Sequence, residues 1–135
     1  MAKQMFLNIA IKDLAKSVGF FKKLGFTFDK KFTNKDATCM IVGKDIYVML
    51  LTQKFFKTFV KKRIINPKKE CEGIIGIHVG SKKEVDILFS KAIKAGGRKD
   101  KEGYDYGWMY GKTFEDLDGH IWEVFYMNVN KMPKS

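Results

Sequence analysis

Residues 6–11, Phe-Leu-Asn-Ile-Ala-Ile, alternate along the chain and predict a strand. Asp13 follows as an N-cap candidate, and Leu14, Ser17, Val18, Phe21 and Leu24 recur at helical spacing until Gly25 ends the run. Strands are then expected at residues 26–28, 37–42 and 46–52, with Gly43-Lys44-Asp45 turning between the last two. The order repeats about 70 residues on. Residues 74–79 predict a strand, Ser81 a cap, and Val85, Leu88, Phe89, Ala92 and Ile93 a helical stripe stopped by Gly96-Gly97. Further strands are expected at 99–102, 108–114 and 121–127, with Asp118-Gly119 in the last turn. The two halves share element order and caps more than residue identities.

This pattern predicts an α+β fold of two βαβββ modules at residues 1–52 and 73–128. A connector with a short helix covers 53–72, and a flexible tail covers 129–135. A helix packed on one face of a sheet makes strand parity informative. In the first strand Leu7, Ile9 and Ile11 suit the helix side, leaving Phe6, Asn8 and Ala10 opposite. In the fifth, Ile75, Ile77 and Val79 go under, leaving Ile74, Gly76 and His78. In the last, Trp122, Val124 and Tyr126 go under, leaving Ile121, Glu123 and Phe125. Asn8, His78 and Glu123 are thereby expected on one surface. That surface also carries Phe6, Ile74 and Phe125, which calls for a curled sheet enclosing a pocket.

Composition changes the picture only at the margins. The chain has 135 residues, 45% of them hydrophobic, enough for a core. No run approaches the roughly 18 apolar residues of a membrane span, and the start lacks the pattern of a secretory leader. Two cysteines, Cys39 and Cys71, fit free thiols in a reducing cytoplasm better than a disulfide framework. The net charge of +11 raises the question of nucleic acid. Of the 26 basic residues, however, only Arg63 and Arg98 are arginines, and the lysines are spread over every segment. A solvated basic surface that favours an anionic small molecule is the reading, with no nucleic-acid and no membrane partner.

The phrases Ile11-Lys12-Asp13-Leu14-Ala15-Lys16-Ser17 and Phe20-Phe21-Lys22-Lys23-Leu24-Gly25-Phe26 resemble the opening signature of the vicinal oxygen chelate superfamily. That superfamily includes glyoxalase I, bleomycin-resistance proteins and extradiol dioxygenases. Residues 116–125, Asp-Leu-Asp-Gly-His-Ile-Trp-Glu-Val-Phe, are similar to its closing signature. Residues 47–52 and 108–111 resemble a subgroup labelled predicted lactoylglutathione lyase. The resemblance covers nearly the whole chain and implies paired modules forming a cup-shaped mixed sheet, with helices on its outer face. In metal-dependent members four side chains hold a divalent ion. The equivalent positions here fall at Phe6, near Leu50, near Ile74, and at Glu123. Only Glu123 has a lone pair to offer, so no metal and no other cofactor is expected.

Two function classes follow. One is a metal-independent lyase or isomerase acting on a small carbonyl or thiol conjugate, with Glu123 as base, His78 as proton shuttle and Asn8 as oxygen-orienting donor. The other is a non-catalytic protein that sequesters a drug or metabolite. Phe6, Asn8, Leu50, Ile74, Trp108 and Phe125 are the candidate ligand-contacting residues. The aromatic run Tyr104, Tyr106, Trp108 and Tyr110 is a candidate for the pocket mouth. Each polar residue also has a plainer reading: Glu123 as a buried carboxylate satisfied by a neighbour, His78 as a hydrogen-bonded wall residue, Asn8 as a strand residue satisfied locally. A homodimer is expected, because the phenylalanines of the 55–59 stretch need cover.

Overall fold

Asp13 and Ser81 both cap helices. The Asp13 carboxylate accepts the Lys16 amide at 3.0 Å, opening α1 (Leu14–Lys23). The Ser81 hydroxyl accepts the Glu84 amide at 3.1 Å, while the Glu84 carboxylate accepts the Gly80 amide at 2.7 Å. This reciprocal arrangement satisfies amides that have no partner inside α3 (Lys82–Lys94). Gly25 and Gly96 follow the two helices with φ of 102° and 110°, a left-handed conformation that L side chains resist.

The computed structural model describes residues 1–134, which form two compact units, Met1–Ile65 and one beginning at Asn66. In the first unit the strands are β1 (Met5–Ile11), β2 (Thr27–Asp29), β3 (Ala37–Gly43) and β4 (Ile46–Thr52). They form a mixed sheet in the order β1-β4-β3-β2, with β1 and β4 parallel and the other pairs antiparallel. Ile11, Phe20, Phe21, Met40 and Leu50 are among its buried core side chains. The short helix α2 (Gln53–Phe56) packs on β1 and β4, its cap being the Thr52 hydroxyl, which accepts the Phe55 amide. Phe55 then meets Phe59 edge-on at 5.0 Å, and Phe59 remains 66% exposed.

The second unit contains β5 (Ile74–His78), β6 (Arg98–Lys99), β7 (Tyr104–Asp105), β8 (Met109–Glu115) and β9 (Ile121–Met127). Its mixed sheet runs β5-β9-β8-β6, with β7 also on β8 and only β5 and β9 parallel. Helix α3 covers one face, and Val85, Ala92, Phe114, Trp122 and Val124 are fully buried. On that face Asp86 of α3 accepts the Tyr110 hydroxyl at 2.6 Å and pairs with Lys112 at 2.8 Å. The whole is mixed α+β with two sheets.

Two sequence expectations change. Residues 99–102 do not make one strand. Pairing stops after Lys99 and resumes at Tyr104; between them Gly103 passes so close to Gly111 that a Cβ there would lie 2.8 Å from its carbonyl oxygen. Within the expected tail, Val129–Lys131 form a 3-10 turn capped by the Asn128 side chain, which accepts the Asn130 amide at 3.1 Å. Ser135 lies outside the described residues.

Candidate functional site

On β9, alternation sends Trp122 and Val124 under α3, and Ile121, Glu123 and Phe125 to the other, distal face. Register then fixes the neighbours of each, because partners across a ladder share a face. Glu123 lies between Gly76 of β5 and Thr113 of β8. Phe125 lies between His78 of β5 and Gly111 of β8, and Tyr104 of β7 pairs with Gly111 beyond it. Ile74 pairs with Ile121 in the next row and is 63% exposed.

Tyr104 reaches diagonally across Gly111, and its hydroxyl donates to Glu123 Oε2 at 2.9 Å. The reach depends on Gly111 having no side chain: a Cβ there would run into the Tyr104 phenol. The second carboxylate oxygen faces another bare position, since a Cβ on Gly76 would sit 3.5 Å from Glu123 Oε1 and 3.5 Å from the Phe125 ring. One oxygen of Glu123 is therefore fixed, and the other has a glycine for its neighbour. Burial pushes the Tyr104 hydroxyl well above the usual tyrosine range, and its hydrogen bond to the Glu123 carboxylate adds to the shift.

His78 stacks on Phe125 with ring centroids 5.4 Å apart and planes at 11°. Its Nε2 accepts the Met127 amide at 3.3 Å, which gives the ring the hydrogen-bonded wall position. Thr113, 9% exposed, carries a buried hydroxyl that has no hydrogen-bond partner among the described residues. Sequence reasoning found Glu123, His78, Ile74 and Phe125 on this face by parity. It missed Tyr104 as the carboxylate's partner and Thr113 altogether. The glycines at 76, 103 and 111 were the available signal.

Phe6 and Asn8 share a face of the first sheet with Tyr47 and Met49, and Phe6 stacks on Tyr47 at 4.8 Å. The Asn8 amide donates to the Phe6 carbonyl at 3.3 Å, so it is satisfied within its own strand. Leu50 requires a correction. It is 0% exposed and pairs with Ile9 and Thr38 on the face opposite Phe6, because its place in the alternation is one residue from the expected one. Tyr110 is also corrected, since it points to Asp86 on the α3 side rather than to a distal pocket mouth. Trp108 precedes β8, half-buried, and its carbonyl accepts the Asn128 amide at 2.7 Å.

The closing signature has a structural role. Asp116 is buried, and its Oδ1 accepts the amides of Asp118, Gly119 and His120 at 3.0–3.1 Å. Its Oδ2 accepts the Trp122 indole at 3.0 Å. Burial pushes the Asp116 carboxyl up, opposed by the charge of His120 and by the Trp122 and Asp118 donors. The signature thus builds the β8–β9 turn that aims Glu123.

The metal set implied by the resemblance does not fit this chain. Phe6, Leu50 and Ile74 cannot ligate, and among the described residues no three His, Cys, Asp or Glu side chains gather as a metal site.

The phenolic groups give a direct test of this geometry. The Asp86 hydrogen bond also raises Tyr110. Alkaline titration of phenolate absorbance is expected to find Tyr104 and Tyr110 still protonated after the ordinary range near 10 has passed. A raised folded-state pKa contributes stability that is complete below the unfolded value and is lost as pH rises through the folded one. Stability should accordingly fall above about pH 10, and less steeply in Tyr104→Phe. Tyr104 and Tyr110 both deprotonating within the ordinary range would contradict both contacts.

Residues 3–43 match the bleomycin resistance protein-like N-terminal family. The chain is similar to the solved structure of hypothetical protein SA1046 from S. aureus, at 30% identity and a TM-score of 0.79, covering 93% of this chain and 95% of that one. It is also similar to a glyoxalase/bleomycin resistance protein/dioxygenase family enzyme from Burkholderia phytofirmans PsJN, at 16% identity and TM-score 0.77, covering 94% and 100%. A third similar structure is a glyoxalase-related enzyme from Fulvimarina pelagi, at 18% identity and TM-score 0.78, covering 93% and 88%. No curated protein sequence matches the chain. No described helix is long and apolar enough to cross a membrane.

Proposed function

This chain belongs to the glyoxalase/bleomycin resistance protein/dioxygenase superfamily, the vicinal oxygen chelate group, and we propose that it binds a small organic molecule on the distal face of its second sheet, with Glu123 as the polar anchor. The observation that carries this reading is the state of that carboxylate. Oε2 is held by Tyr104, whereas Oε1 faces the bare backbone of Gly76 beside the stacked rings of Phe125 and His78. A half-committed acceptor among aromatic walls suits a ligand that offers a flat apolar body and one O–H or N–H. The net charge of +11 draws an anionic molecule toward the surface. Ile74, Phe125 and His78 would line the apolar part of the site.

Binding without turnover is the reading these contacts support best. An acid–base pair needs a second free group, and His78 Nε2 already accepts a backbone amide. A metal-independent lyase or isomerase with Glu123 as base is the second reading. Its support is the unpartnered Thr113 hydroxyl opposite Glu123, a group able to orient a substrate oxygen.

Protein-observed NMR of the isotopically labelled, metal-free chain against small phenols, thiol conjugates and hemithioacetals tests the proposal. At least one class should bind at micromolar concentration and shift the Gly76 and Glu123 amides. A silent panel, or shifts confined to the first unit, would overturn it. Conversion of a bound compound would favour the second reading.

A further inference from the structure

The segment that carries Tyr104 is lightly held. β7 is two residues long and is bracketed by Gly103 and Gly107, the latter with φ of 82°. The segment's ion pairs, Lys82 with Asp105 at 3.4 Å and Lys99 with Glu102 at 2.6 Å, are exposed on both sides and add little. Tyr106 stacks on Tyr104 at 5.0 Å yet is itself 66% exposed. The phenol at the centre nevertheless sits in a shaped seat. Gly111 forms its floor, the Glu123 carboxylate takes its proton donor, and Phe125 lies in the same row of the sheet.

That seat is incomplete with Tyr104 in it. The Thr113 hydroxyl, in register with Glu123 on the same face, is buried without a partner. A buried, unsatisfied hydroxyl is unfavourable, and one phenol oxygen already committed to Glu123 does not relieve it. A larger occupant with a second polar atom could bond to both.

We propose that Tyr104 is an internal stand-in for the ligand, its phenol filling the place that a ligand's hydroxyaryl group takes on Glu123. Segment 100–108 is then a displaceable strap, and the ligand class is a hydroxylated aromatic with a further polar substituent. This inference rests on the reading of Glu123 as anchor. A ligand hydroxyl that takes Oε2 displaces the phenol, so affinity is lowered by the free energy of the strap's own contact.

The test uses 4-methylphenol, the tyrosine side chain freed from the backbone, titrated into isotopically labelled full-length chain while the Gly111 and Glu123 amides are followed. Tyr104→Ala should bind it at least tenfold more tightly than wild type, and at least tenfold more tightly than it binds toluene. Adding Gly111→Ala, whose methyl group fills the seat, should abolish the gain. If Tyr104→Ala does not fold, Tyr104→Phe keeps the ring, loses only the hydroxyl, and should tighten binding several-fold. Equal affinity in wild type and the Tyr104 variant, equal affinity for toluene, or indifference to Gly111→Ala would overturn the proposal. The anchor reading fails separately: a panel compound that ignores Glu123 sinks both, whereas one that needs Glu123 while 4-methylphenol ignores Tyr104 sinks only the strap.

Discussion

Asp116→Ala is expected to destabilise the second unit by about 3–5 kcal/mol, more than any surface change in this chain. The side chain is buried, and four donors converge on it: the amides of residues 118, 119 and 120 and the Trp122 indole. Alanine leaves the amides of residues 118 and 120 and the indole facing a cavity, while the Gly119 amide keeps the Asp116 carbonyl at 3.1 Å. Each unsatisfied buried group costs about 1–3 kcal/mol, and the three will not add fully because the turn can relax. For a unit of this size the melting temperature should drop by about 12 °C or more. Asp116→Asn separates the contributions. Its carbonyl can still accept the three amides, but its NH2 then meets the indole N–H, so a smaller loss of about 1–2 kcal/mol is expected. Thermal melts of both variants check this. Equal stability of the alanine variant and wild type would mean that the turn does not depend on its carboxylate.

Glu123→Leu is expected to weaken ligand binding by about ten- to a hundredfold, the worth of one charge-assisted hydrogen bond. Leucine has similar bulk and no acceptor, so the aromatic neighbours keep their packing while the anchor is lost. Tyr104 loses its acceptor in the same variant. Glu123→Gln retains a carbonyl for the ligand or for Tyr104 and should lose less. Calorimetric titration with whichever panel compound binds wild type measures both, and circular dichroism confirms the fold. Unchanged affinity in the leucine variant would leave Glu123 a purely structural carboxylate held by Tyr104.

The turn and the anchor were legible to different degrees. Asp13 and Ser81 could be read as caps because a cap bonds within its own first turn. The distal face of β9 could be read because side chains alternate along any strand, and the full burial of Trp122 and Val124 agrees with it. Leu50 shows the limit of the same rule. In a strand as apolar as Ile46–Thr52 both parities look alike, and only pairing with Ile9 and Thr38 reveals which one applies.

By itself the sequence determined the two-module order, the helix starts and stops, and the side of the sheet on which Glu123, Phe125, His78 and Ile74 stand. All of these follow from spacing within one element. The tertiary structure alone decided that Tyr104 meets Glu123 across 19 residues, that Tyr110 turns instead to Asp86, and that Thr113 is buried opposite the carboxylate. Those contacts depend on the register between strands and on the space left by Gly76, Gly103 and Gly111, whose meaning appears only when another segment lies beside them.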